Sequence, residues 1–175
     1  VKALSENTKN YEKTCIGIWK EFQKLGVEMD VVSSNDDLSD YKVVVAPMLY
    51  LLQSGTAENL QKFVKNGGQL LATYFTGYVD KDTLCYLGGF PGNGLAELFG
   101  VISEEIDTLY PSDRNSLCFL DGKKWTVYDY AEILRVQDAQ ILASYGTDFY
   151  EGSAALTVKE WESDTHTGEN GRAYY

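Results

Sequence analysis

The chain has 175 residues, enough for one domain that buries roughly two thirds of its unfolded surface. Its formal charge of -11, with 15 scattered Lys and Arg, argues against nucleic acid or an anionic membrane surface as partner. Cys15, Cys85 and Cys118 are too few and too far apart for a disulfide framework or a Cys-x-x-Cys metal site, which favours a reduced, cytoplasmic setting.

In chain order, the polar start VKALSENTKNYEK lacks the apolar stretch of a signal peptide, and no apolar run approaches the ~20 residues of a membrane span. Tyr11, Cys15, Ile18, Phe22 and Leu25 form one helical stripe, with Gly26 placed to cap it. Residues 27–32 read as a short strand. Residues 42–47 read as a second, whose apolar centre (Val43, Val44, Val45, Ala46) suits a parallel sheet covered on both faces. Ser54 or Thr56 is placed to cap a helix with Leu60, Phe63 and Val64 inward, Gly67-Gly68 ends it, and residues 69–75 return as a strand. Strand, helix and strand over 37–80 make a βαβ unit with a right-handed parallel crossover. The loop 76–94 is too rich in glycine and aromatics for a passive linker, and a short helix at 95–99 ends on Gly100.

Beyond Gly100 the pattern becomes strand-rich. Residues 101–106, 117–120, 125–130, 141–145, 154–161 and 172–175 read as strands, with Asp121-Gly122 as a hairpin turn and the polar 162–171 as a loop. The opening directly into a helix and the finish at Ala173-Tyr174-Tyr175 predict a piece of a longer polypeptide.

The chemistry-bearing residues converge poorly. The strand ends of the βαβ unit, where an α/β site would sit, carry Pro47, Met48, Thr73, Tyr74 and Phe75, none of them a nucleophile or base. His166, the only histidine, stands in a polar stretch, and Cys85 in the long loop is the thiol that could pair with it. Glu104, Glu105 and Asp107 are strand neighbours, so they cannot all aim into one site. Gly88-Gly89-Phe90-Pro91-Gly92-Asn93-Gly94 precedes a helix, but Pro91 removes a donor and no cation stands nearby to hold a phosphate. No catalytic, cofactor-binding or metal site is expected. The 13 tyrosines suit half-buried surfaces and interfaces.

Eight blocks in order resemble the trimerisation domain of bacterial family 42 glycoside hydrolases, the β-galactosidases. They are DLSDYKVVVAPMLYLL (37–52), LQKFVKNGGQLLATYFTGYVD (60–80), LGGFPG (87–92), LFGVISEEID (98–107), DYAEIL (129–134), LASY (142–145), DFYEGSAALT (148–157) and GRAYY (171–175). The resemblance implies an α/β fold of flavodoxin-like, class I glutamine amidotransferase-like type: a mostly parallel sheet flanked by helices, with a strand-rich C-terminal half. It implies a single non-catalytic domain over 1–175, lying in its parent between a catalytic barrel and a small β-domain, both absent here. The parent would hydrolyse terminal β-D-galactosides with retention, using two barrel glutamates, as a trimer without cofactor.

Two departures stand out. The family's first strand, before the helix at Tyr11, is missing, and Ala72-Thr73-Tyr74-Phe75-Thr76-Gly77 has no cysteine where amidotransferase relatives carry their nucleophile. The subunit contact is expected on the long loop, with Tyr78, Tyr86 and Phe90 as candidates. The alternatives are a stand-alone amidotransferase-like hydrolase using Cys85 and His166, and a sugar- or nucleotide-binding module.

Overall fold

A computed structural model describes residues 10–128, 130–147, 150–164 and 169–175. The elements are α1 (Tyr11–Lys24), β1 (Val43–Ala46), β2 (Leu51–Leu52), α2 (Thr56–Lys65), β3 (Gln69–Ala72), β4 (Val79–Asp80) and α3 (Leu95–Phe99). There follow β5 (Val101–Thr108), β6 (Asn115–Phe119), β7 (Lys124–Val127), β8 (Tyr130–Val136), β9 (Gln140–Tyr145), β10 (Ala154–Trp161) and β11 (Gly171–Tyr174).

The βαβ unit is present. Val43 pairs with Gln69 and Ala46 with Ala72 in a parallel ladder, joined through α2. α2 turns Ala57, Leu60, Phe63 and Val64 inward, the 3.6-residue stripe read from the sequence. Neither Ser54 nor Thr56 caps it; the capping position belongs to Gly55 at φ 85°, and Thr56 instead bonds Ser34 and Asn35. Two glycines let α2 lie close to the sheet. A Cβ on Gly171 would stand 1.8 Å from the Val64 carbonyl oxygen, and one on Gly68 2.3 Å from the Phe63 ring.

The flavodoxin-like expectation is overturned. In the nine-stranded sheet only β1–β3 and β3–β11 are parallel. β10 runs antiparallel to β11, β9 and β8, and the pairs β6–β9, β6–β7 and β5–β8 are antiparallel too. The connections explain this. Parallel neighbours need a crossover of a dozen residues or more; among the described residues β1 and β3 are joined through α2, and β3 reaches β11 only after the whole strand-rich half of the chain. Among the later strands β6–β7, β9–β10 and β10–β11 are chain neighbours that pair antiparallel, β6–β7 through a tight turn where the Gly122 N–H donates to the Phe119 carbonyl, while β5–β8, β6–β9 and β8–β10 pair antiparallel across longer stretches of chain. Among the described residues there are three helices, one of five residues, too few to flank a doubly wound sheet.

Two local expectations also change. Residues 27–32 enter no ladder, and Val31 is 98% exposed. β1 lies at the end of the strand order with β3 as its neighbour, and Val43 is exposed rather than enclosed between helices. α1 forms as read, but none of its residues is buried, and Tyr11, Ile16 and Trp19 face outward. The core lies elsewhere, where α2 and α3 meet the sheet: Leu60, Val64, Leu70, Leu95, Phe99, Val101 and Tyr175.

Candidate interaction surface

β3 ends at Ala72, and the chain turns sharply through Thr73–Gly77. The Met48 N–H donates to the Thr73 hydroxyl at 2.8 Å, and the Thr76 hydroxyl donates to the Thr73 carbonyl at 2.7 Å. At the tip Phe75 adopts φ 65°, a left-handed backbone that costs a non-glycine residue ~1 kcal/mol or more. This is the kind of strand-to-turn bend on which hydrolases mount a nucleophile. Here it mounts a phenyl ring.

That ring starts an aromatic array. Phe75 meets Tyr130 edge-on at 4.9 Å, and Tyr74, Tyr50 and Tyr78 at 5.2, 6.3 and 6.5 Å. Tyr78 stacks on Tyr50 at 5.4 Å, leans on Tyr86 at 5.3 Å and stands edge-on to Phe90 at 5.0 Å. Parallel pairing of Leu51 with Val79 ties the 49–52 segment to the long loop beneath these rings. Asp80 then fixes the next turn: its carboxylate accepts from the Thr83 hydroxyl at 2.5 Å and from the Thr83 and Asp82 amides at 2.6 and 2.8 Å. Those bonds, led by the Thr83 hydroxyl, pull its pKa down to about 2.

The outcome is an exposed apolar face. Tyr50 and Tyr86 are 44% and 57% exposed beside a half-buried Tyr78, Leu84 of the same loop is 63% exposed, and Phe90 is 4% exposed and forms the floor. Of the three residues singled out from the sequence, Tyr86 and Tyr78 therefore present surface, and Phe90 supports Tyr78 from behind.

Beneath the turn lies Glu132 of β8, the one carboxyl among the buried described residues and a residue the sequence reading passed over. Its carboxyl accepts the Phe75 N–H at 2.6 Å and the Tyr175 hydroxyl at 2.9 Å, while its backbone carbonyl accepts the Tyr145 hydroxyl at 3.0 Å. Burial pushes the Glu132 pKa up to about 7, against the opposing pull of the Phe75 amide and the Tyr175 hydroxyl. The Ser103 hydroxyl acts last and least, and it makes no formed hydrogen bond. Burial, then the Glu132 charge, pushes the Tyr145 and Tyr175 phenols upward.

The other candidates do not assemble. Cys85 is exposed, with its N–H on the Thr83 hydroxyl at 3.3 Å, and His166 lies outside the described residues. Glu104 pairs with Arg135 at 2.5 Å and Glu105 accepts the Tyr150 hydroxyl at 2.6 Å, so the acidic cluster is divided between separate surface contacts. Among the described residues no group of three or more His, Cys, Asp or Glu is placed to hold a metal, and no described helix is long and apolar enough to cross a membrane.

Comparison with known proteins supplies a family. The profile described as the beta-galactosidase trimerisation domain matches residues 2–175. The beta-galactosidase Pbg of Clostridium perfringens is 41% identical over 173 residues, covering 95% of this chain and 24% of that protein. The beta-galactosidase BglY of Alicyclobacillus acidocaldarius is 40% identical over 172 residues, covering 95% of this chain and 24% of its own length. The solved structure of Gan42B, a family 42 beta-galactosidase from G. stearothermophilus, superposes with a TM-score of 0.85 at 38% identity, over 98% of this chain and 24% of that one. The chain thus spans about a quarter of the length of the relatives it matches.

Proposed function

The chain belongs to the β-galactosidase trimerisation domain family, and from that membership we propose that it is the non-catalytic module holding three copies of a longer β-galactosidase together. In this reading its partners are two further copies of itself and a barrel domain of the same polypeptide. Hydrolysis of terminal β-D-galactosides takes place in that barrel, in the cytoplasm, without a cofactor bound here.

The observation that supports a scaffold most directly is the aromatic face. Monomeric proteins seldom leave stacked tyrosines such as Tyr50, Tyr78 and Tyr86 in the open unless something packs on them. Tyrosine and other aromatic anchors dominate subunit contacts, because each covers a large apolar area and immobilises few torsions.

Light scattering on the complete polypeptide tests it. A Tyr86→Ala, Leu84→Ala double variant is expected to shift the mass from trimer toward monomer. Trimer mass unchanged down to nanomolar concentration removes this face from the contact. Galactoside turnover by the 175-residue chain alone would overturn the non-catalytic assignment, and loss of that turnover in Cys85→Ala would favour the hydrolase alternative.

A further inference from the structure

We propose that Glu132 is a positioning residue for the aromatic face: its buried carboxyl holds the Phe75 turn, and through that turn the Tyr50–Tyr78–Tyr86 array, in the arrangement that a second copy of this chain packs against. The proposal rests on the reading of that face as a subunit contact, and its experiment separates the two.

The geometry carries the argument. Phe75 follows the end of β3 and sits at φ 65°, so its N–H has left the ladder and needs another acceptor. Glu132 supplies it from 57 positions along the chain. Its second oxygen takes the Tyr175 hydroxyl from the opposite direction in sequence, and Tyr175 is itself fixed by backbone bonds to Thr157 in both directions and by its ring on Phe99 at 5.0 Å. One side of the carboxyl is therefore anchored to the core and the other to a turn. The Phe75 ring on that turn touches four of the tyrosines of the array. A displacement of the Phe75 backbone displaces the ring that Tyr50 and Tyr78 pack against.

The groups facing Glu132 are the Tyr175 phenol at the chain end, the Ser103 hydroxyl of β5, the Phe75 amide, and the Tyr145 phenol of β9, which in turn feels Asp107 of β5. No cation is among the groups that set its titration. An ionised Glu132 must therefore be satisfied by hydrogen bonds or by water. The 73–77 turn, outside the main ladder and held by side-chain bonds at Thr73, Phe75 and Thr76 and by backbone bonds only at Gly77, is the segment that opens most cheaply to admit water.

The experiment uses the complete polypeptide that contains this chain. Hydrogen-exchange protection of peptides covering residues 73–78, and mass by sedimentation, are followed from pH 4.5 to 8.5 for the wild type, Glu132→Gln and Tyr86→Ala. Wild-type protection is expected to fall across pH 4.5–7 by up to about 300-fold and then to level off, which is the 4.5-to-7 rise in pKa expressed as an opening equilibrium. Glu132→Gln is expected to give a flat profile, and trimer association is expected to weaken over the same window in the wild type only. A flat wild-type profile, or an equal fall in Glu132→Gln, overturns the positioning role whatever the mass. Equal mass in Tyr86→Ala and wild type at every pH overturns the subunit contact, and with it the partner named here.

Discussion

Glu132 makes the most quantitative stability prediction. In the unfolded chain its carboxyl titrates at the ordinary 4.5, and in the fold at about 7, because burial disfavours the charge. Between these values the native state holds a proton that the unfolded state has released, so stability falls as pH rises. The contribution is complete below pH 4.5, declines through the window and is gone above about 7. At 1.36 kcal/mol per unit the total is about 3 kcal/mol, a large share of a small domain's margin. Other groups slope the opposite way: Asp37, Asp80 and Asp121 all have lowered pKa values, so their stabilisation is lost as pH falls below the unfolded 3.8. The difference between wild type and Glu132→Gln cancels them. Urea titrations of the 175-residue chain at pH 4.5, 6, 7 and 8, followed by tryptophan fluorescence, are expected to show the variant gaining about 3 kcal/mol on the wild type from the first pH to the last. Parallel stability curves would mean that the carboxyl is hydrated in the native state, and the account of the buried latch would fail.

Four further outcomes follow from particular contacts. Gly171→Ala drives a methyl group into the Val64 carbonyl and is expected to cost about 3 kcal/mol or more, seen as a fall in urea midpoint, because backbone stands on both sides of the gap. Phe99→Ala empties a fully buried site and is expected to cost ~3–5 kcal/mol, whereas Trp19→Ala on the uncovered α1 should stay within about 0.5 kcal/mol; similar losses would contradict the placement of the core. Phe75→Gly and Phe75→Ala both remove the ring, but glycine tolerates φ 65°, so the glycine variant should be the more stable by roughly 1 kcal/mol in thermal or urea unfolding. α1 has 14 residues, none of them buried, and is expected to exchange its amides within the fastest class; strong protection would show that its stripe is covered in solution.

The sequence made the local pieces legible wherever a short-range rule applied. The 3.6-residue stripe of Leu60, Phe63 and Val64 gave α2, the glycine at 100 ended α3 in a left-handed residue at φ 68°, and Asp121-Gly122 marked the β6–β7 turn. Strand direction was not written at that range. An all-apolar run such as Val43–Ala46 reads as an enclosed parallel strand; β1 is parallel to β3 but lies at the end of the strand order, and the strands after Gly100 pair antiparallel, partly with chain neighbours and partly across long separations. Residues 27–32 have the pattern of a strand but no partner, and β propensity without a ladder does not make one.

The site was half legible for a related reason. Tyr78 and Tyr86 stood out because tyrosine suits half-wet surfaces, whereas Phe90, of similar size, lacks the polar tip and went under. Glu132 was missed because the strand read over 125–130 stops at Tyr130 and no element was assigned to 131–140, so most of β8 went unread. In Tyr130-Ala131-Glu132-Ile133-Leu134 a lone charge amid apolar residues looks like the wet face of a strand. Its acceptor role exists only because the turn at Phe75, 57 residues earlier, spends a left-handed backbone and leaves one N–H outside the ladder. A carboxyl buried without a cation is thus used to hold a turn and not to carry out chemistry. The strained turn, tied down by that carboxyl, sets the Phe75 ring among Tyr50, Tyr74, Tyr78 and Tyr130, so a buried charge-bearing group fixes the shape of a surface.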